Sequence, residues 1–290
     1  MSGWLVTGAA GQLGSDVVDV LHAYGEEVAE FDRAALDVSD HSAVLAALDW
    51  VQPSIVVNCA AYTAVDDAET HEDAAYDINA RGPANLAHAC ARTGARLLHV
   101  STDYVFAGNA TEPYDEKAKT GPKSAYGRTK LAGEQAVLGS GAEAYVVRTA
   151  WLYGAVGANF VKTMARLAKD RETVDVVDDQ IGAPTWTLHF ARALIGLGIA
   201  DVPPGLWHCT NAGEASWYVF ARAIFAELGL DPARVQPTTS DKFVRPAPRP
   251  AYSVLSTVKW QRAGLPELPH WRDGLQEAFE TTGEELSETA

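Results

Sequence analysis

The chain has 290 residues, of which 47% are hydrophobic and 21% charged, the usage of an ordinary globular protein with room for one large domain or two smaller ones. With 38 acidic against 23 basic side chains its formal charge is -15, which argues against a nucleic-acid partner because such a partner needs a basic face. Any phosphate site must therefore be built locally, from backbone N–H groups, a helix N-terminus or a few cations.

In chain order, Trp4-Leu5-Val6-Thr7 reads as a buried strand, Gln12 to Tyr24 as a helix and Glu27 to Phe31 as a second strand. Ser54 to Asn58 is a third strand, Glu72 to Arg92 a helix, Arg96 to Val100 a fourth strand, Tyr126 to Leu138 a helix and Ala144 to Arg148 a fifth strand. These strands are continuously apolar, as when helices cover both faces, and the repeated β-α-β order gives a doubly wound parallel sheet of Rossmann type. After about residue 150 strands shorten and prolines accumulate, with helices at 159–169, 188–198, 216–228 and 270–280. The expected division is a dinucleotide-binding domain over 1–150 and a smaller α+β, mainly substrate-binding domain over 151–280. Some of its elements return to the sheet, and 281–290 form a frayed acidic tail.

No apolar run reaches the roughly 18 residues of a membrane span. The start, Met1-Ser2-Gly3-Trp4, lacks the basic and apolar regions of a secretory leader, so a cytoplasmic location and no membrane partner are expected. Cys59, Cys90 and Cys209 are widely spaced in hydrophobic contexts and read as buried free thiols.

Gly8-Ala9-Ala10-Gly11-Gln12-Leu13-Gly14 joins the first strand to the first helix. In such a turn Gly8 permits the tight bend, Gly11 the approach of a diphosphate and Gly14 close packing of helix on strand. A diphosphate there meets the free N–H groups of the helix N-terminus. An acid, Asp32, follows the second strand and suits the ribose of NAD, whereas Arg33 beside it suits the 2′-phosphate of NADP. Both are present, so NADPH is the expected cofactor with NADH also accepted.

Tyr126 and Lys130 lie four residues apart and share a helix face. They follow by one β-α unit the Ser101-Thr102-Asp103 segment at the carboxyl end of the fourth strand, where open α/β sheets place ligands. A phenol beside an ammonium can deliver a proton to a carbonyl oxygen as hydride reaches the carbon, and a Thr102 hydroxyl can share that oxygen.

Gly8/Gly11/Gly14, Asn58-Cys59-Ala60-Ala61, Ser101-Thr102-Asp103 and Tyr126/Lys130 together resemble the extended short-chain dehydrogenase/reductase superfamily. Within it, Ala60 to Asp66, Ser101 to Phe106, Tyr126 to Glu134, Arg148 to Gly154, Asp179 to Thr185 and Arg249-Pro250 resemble the dTDP-4-dehydrorhamnose reductase family over nearly the whole chain. The resemblance implies reduction of a C4 ketone on a nucleotide sugar, with Thr102, Tyr126 and Lys130 as the catalytic set. It implies cofactor contacts from the glycine turn with Gln12 and Leu13, from Asp37 and Val38, and from Ala60, Ala61 and Thr63. It implies substrate contacts from Val65, Asp103, Tyr104, Phe106 and Trp151, and Arg249 is a candidate for the nucleotide diphosphate. Enteric members are described as dimers bridged by Mg²⁺ through acidic side chains. Here Ser15 and Leu188 stand at two of those positions, so neither the metal nor that dimer is expected.

Two other readings remain. A nucleotide-sugar 4,6-dehydratase or 4-epimerase shares the fold, but such dehydratases follow the threonine with an Asp-Glu pair and this chain has Asp103-Tyr104. A non-catalytic subunit of the methionine adenosyltransferase type can also keep the Tyr/Lys pair. The C4 configuration of the product is left open by the sequence.

Overall fold

The computed structural model describes residues 3–287. The first half runs β1 (Trp4–Thr7), α1 (Gln12–Ala23), β2 (Val28–Phe31), α2 (His41–Val51), β3 (Ile55–Asn58), α3 (Glu72–Tyr76), α4 (Gly82–Thr93), β4 (Arg96–Thr102), α5 (Ala125–Leu138) and β5 (Ala144–Thr149). A π-helical turn, Asp77–Arg81, joins α3 to α4, so the single helix expected over 72–92 is one run with a bulge in it. Helix α2 was not among the sequence expectations; Asp40 caps it by accepting from the Ser42 and Ala43 N–H groups.

The second half adds β6 (Leu152–Tyr153), α6 (Phe160–Asp170), β7 (Val174–Val177), β8 (Ile181–Gly182), β9 (Thr185–Trp186), α7 (Thr187–Ile199), β10 (Gly205–His208), β11 (Ala215–Ser216), α8 (Trp217–Glu227), β12 (Val235–Thr238), α9 (Val258–Arg262) and α10 (Trp271–Ser287). No helix among the described residues is long and apolar enough to cross a membrane.

Six strands form one parallel sheet in the order β10-β5-β4-β3-β1-β2. Alternate residues of each strand feed two cores, which is why the strands read as continuously apolar. Trp4, Val6, Val57, Leu98 and Val147 meet α1 and α7 on one face, while Leu5, Val56, Leu97 and Val146 meet α2, α4 and Val137 of α5 on the other. The chain changes face between β1 and β3, and that switch opens a crevice at the strands' carboxyl ends. There the strands are tied by a buried ladder: the Thr7 hydroxyl donates to Asn58 Oδ1 at 2.7 Å, and Asn58 Nδ2 lies 3.0 Å from His99 Nδ1. Burial holds His99 well below the usual imidazole range.

A third core gathers α6, α8 and α10 around Phe220, Ile224, Trp271 and Leu275. Helix α7 and strand β10, from the later part of the sequence, belong to the sheet and its flank. The expectation of a frayed tail from Thr281 is corrected: α10 continues across a kink at Thr282 to Ser287, and Leu286 is fully buried against this third core. Residues 288–290 of that tail lie outside the described residues. Leu286→Ala is expected to lower stability by about 2 kcal/mol, read as a shift in the urea midpoint; an unchanged midpoint would mean that the last turn contributes nothing.

Candidate active site

The glycine turn is shaped by contacts that no side chain could occupy. Gly8 has φ +67°, and a Cβ on it would lie 2.7 Å from the Ala60 nitrogen; one on Gly14 would lie 2.1 Å from the Gly8 carbonyl oxygen. Gly11 is the N-cap of α1 and provides no side-chain cap, so the first N–H groups of that helix stay available to an anion. A cavity of about 720 Å³ opens above this turn, lined by Gly8, Gly11, Asp32, Arg33, Asp37, Val38, Ala60, Ala61 and Thr63. Asp32 Oδ1 is engaged by the Ala34 and Ala35 N–H groups at 2.9 and 2.8 Å, and Arg33 is exposed beside it. Gly14 does not line the cavity; it serves by packing on Gly8.

A second cavity of about 460 Å³ shares Gly11, Cys59, Ala61 and Thr63 with the first, so the two form one cleft. It brings together Gln12, Leu13, Val65, Thr102, Asp103, Tyr104, Tyr126, Lys130 and Trp151. Ser124 caps α5 through the Gly127 N–H and so fixes the first turn, where Tyr126 sits. Gly127 and Gly133 then let α5 approach other backbone closely: Cβ atoms there would lie 2.3 Å from the Tyr104 carbonyl oxygen and 2.1 Å from that of Asn79. Asn79, in the π-helical turn, accepts from the Tyr62 N–H at 2.8 Å and donates to Thr129 Oγ1 at 3.2 Å, linking α5 to the loop shared by both cavities.

Tyr126, Lys130 and Glu134 follow at four-residue steps along α5. Burial pushes the Tyr126 phenol up to about 12, against the Thr102 hydroxyl beside it. Lys130 donates to the Val100 carbonyl at 2.7 Å, and burial pulls its ammonium down to about 8 while Glu134 acts the other way. Asp103 is 2% exposed, its Oδ2 has no partner, and burial raises its carboxyl to about 6.

Beneath these groups Glu134 accepts three hydrogen bonds. Ser101 Oγ donates at 2.6 Å, Arg148 Nε at 2.8 Å and Arg148 Nη2 at 2.6 Å. Ser101 and Arg148 are opposite residues on β4 and β5, so one carboxylate ties the helix of Tyr126 to the two strands that end in Thr102 and Thr149. Arg148 also lies over the Phe106 ring, 4.8 Å from its centre, and within 3.4 Å of His208 Nε2.

Some expected residues stand elsewhere. Phe106 is 2% exposed and stacked on Tyr114 at 4.2 Å, so its ring supports the site from the core instead of facing the cavity. Arg249 lies outside both large cavities, paired with Asp66 at 2.9 Å beside a small recess that Tyr104 also lines. All three thiols are free, but Cys59 is only half-buried and faces the cleft; Cys90 and Cys209 are buried. Trp217, absent from the sequence expectations, lines the second cavity. Nothing in its local sequence marks it, because it simply opens a helix after a serine cap.

A phenol, an ammonium and a hydroxyl grouped at the inner end of a Rossmann cleft suit transfer of hydride and a proton to a carbonyl, and the fold is that of the short-chain dehydrogenase/reductase type. Residues 2–283 match the family model described as RmlD substrate binding domain, and the chain belongs to that family. It is 50% identical over 281 residues to dTDP-4-dehydrorhamnose reductase of Streptomyces griseus, covering 95% of this chain and 92% of the relative. It is 52% identical over 278 residues to a probable dTDP-4,6-dihydroxy-2-methyloxan-3-one 4-ketoreductase of Streptomyces antibioticus, covering 95% and 94%. The structure of dTDP-4-dehydrorhamnose reductase from Bacillus anthracis in complex with NADP superposes with a TM-score of 0.93 at 40% identity, covering 97% of this chain and 99% of that one.

Glu134→Ala leaves Arg148 buried without its partner and is expected to cost about 3–5 kcal/mol. Glu134→Met combined with Arg148→Met should recover most of that loss. Urea midpoints of the single and double variants check this; equal losses would show that the pair is not what the helix depends on.

Proposed function

We propose that the protein reduces the C4 ketone of dTDP-4-dehydro-L-rhamnose to dTDP-L-rhamnose with NADPH, in deoxysugar biosynthesis. The observation that carries the reading is the continuity of the two cavities, which puts Tyr126 and Thr102 where a dinucleotide cleft meets a second, sugar-sized space. The residues fit a dinucleotide: an uncapped helix N-terminus, a turn whose Cβ positions are already taken and a long cleft. When bound, NADPH supplies the hydride.

The protein's own groups do the rest. Tyr126, neutral at working pH, gives its proton to the C4 oxygen, and the Thr102 hydroxyl donates to the same atom and fixes its place. Lys130, held by the Val100 carbonyl, binds the nicotinamide ribose and stabilises the phenolate left on Tyr126. Arg33, exposed on the cavity wall, is free to meet a 2′-phosphate, which supports NADPH. Asp32 uses only Oδ1 in its own turn and keeps Oδ2 for a ribose hydroxyl, which leaves NADH usable. Residues 1–150 serve mainly the cofactor. Residues 151–280 supply much of the substrate wall, and the remote nucleotide positions a weakly held sugar. A cytoplasmic location accords with this chemistry.

Turnover is tested by NADPH absorbance with dTDP-4-dehydro-L-rhamnose. Tyr126→Phe should lower kcat by at least about two orders of magnitude, and an unaffected variant would remove Tyr126 from the reaction. The C4 configuration of the product separates rhamnose from its epimer. In the wild type, kcat/KM for NADPH should fall as pH rises through about 8, where Lys130 passes from ammonium to amine; a limb near the ordinary lysine value would mean that burial does not lower this ammonium. The absence of any limb in the residual activity of the Lys130→Met variant would tie it to Lys130. Arg33→Ala should raise KM for NADPH on the order of tenfold with little change for NADH; equal changes would place the 2′-phosphate elsewhere.

A further inference from the structure

The second cavity draws its lining from two sources. Thr102, Asp103, Tyr126 and Lys130 come from β4, the turn after it and α5, whereas Trp151, Leu152, Ala158 and Trp217 come from the segments after β5 and from the start of α8. The second group is apolar, and its centre is a pair of tryptophans. The Trp151 and Trp217 indoles stack with ring centres 3.4 Å apart and planes 3° from parallel, and Phe160 packs against Trp217 at 4.4 Å.

Trp151 is held there against its own preference. Its φ is +47°, a left-handed conformation that a large non-glycine residue adopts only where the surroundings impose it. The indole is pressed onto Gly182, where a Cβ would lie 2.3 Å from the Trp151 ring. Gly182 and Trp217 therefore define the position of an aromatic plate that faces the reacting groups. Both residues line the cavity and neither is fully buried.

We infer that Trp217 is a specificity-determining residue: with Trp151 it forms an apolar wall that takes the C–H-rich face and methyl group of a 6-deoxyhexose in preference to a 6-hydroxyhexose. The inference rests on the nucleotide-sugar reading above and assigns its 6-deoxy preference to a residue. A hexose lying on indole surface exchanges hydrated C–H area for aromatic contact. A 6-hydroxyl laid on the ring faces leaves water and meets no donor or lone-pair acceptor there, since the one polar group of each indole, its Nε1–H, lies at the ring edge. Such a wall discriminates by roughly 10- to 100-fold, the range open to an apolar pocket facing one added hydroxyl.

The test measures binding to the NADP⁺-loaded protein by calorimetry with dTDP, dTDP-6-deoxy-D-glucose and dTDP-D-glucose. The wild type should bind the 6-deoxy sugar nucleotide roughly 10-fold or more tightly than its 6-hydroxy counterpart. Trp217→Ala should erase that ratio while affinity for dTDP and NADP⁺ stays within about twofold, and Trp217→Phe should keep most of it. The inference is overturned if the wild type shows no preference or if Trp217→Ala retains it. It is also overturned if both variants lose dTDP and NADP⁺ binding together, which would make Trp217 a packing residue only. Turnover of the 4-ketone without a 6-deoxy preference would sink this inference and leave the reductase reading standing. A preference without turnover would do the reverse.

Discussion

The carboxylate of Glu134 is the point through which the catalytic groups are held in register. It sits on α5 two turns beyond Tyr126 and one beyond Lys130, and it takes donors from β4 and β5 at once. A buried ion pair of this kind adds little net stability over a well-packed apolar pair, because desolvation offsets most of the attraction. Its value lies in direction. Three hydrogen bonds to two oxygens fix both rotation and slide of the helix, which packing of aliphatic side chains alone would leave looser. The arginine carries the constraint onward, under Phe106 and toward His208, so the turn after β4 and the sixth strand β10 share the same support.

Close backbone contact completes what the ion pair begins. Gly127 and Gly133 bring α5 against the turn after β4 and against the π-helical turn, and Asn79 in that turn reaches across to the loop after β3. The cofactor and substrate halves of the cleft are therefore referenced to one helix. A widened helical turn is a device for presenting a side chain that a regular turn would aim elsewhere, and here the side chain presented is Asn79.

Much of this was legible in the sequence because it depends on short-range pattern. Apolar runs gave the first five strands, the glycine spacing marked the crevice, and the four-residue step from Tyr126 to Lys130 placed both on one face. Helix α2 was missed, because its solvent-facing Trp50 breaks the apolar stripe by which a helix is recognised. The pairing of Gly205–His208 with Tyr145–Arg148 spans sixty positions and carries no local mark. The same holds for Trp217, whose partner Trp151 is distant in the chain, and for Phe106 and Arg249, whose environments are set by Tyr114 and Asp66. Residues chosen by local periodicity can be read; residues chosen by a long-range neighbour cannot.

The ladder at the switch between β1 and β3 places a limit on the conditions the fold tolerates. His99 is sealed in the sheet as a neutral ring, and His208, next to Arg148, is likewise held down to about 3 by burial and by that cation. In the unfolded chain both imidazoles would take up protons below their ordinary value near 6.5, while in the folded chain they do not. The unfolded state then binds more protons, and stability declines as pH falls, by up to about 1.4 kcal/mol per unit for each ring. A surface crowded with carboxylates suggests a protein at ease in mild acid. Its interior sets the opposite bound, and acid sensitivity begins at these two buried histidines, well before the surface acids are titrated.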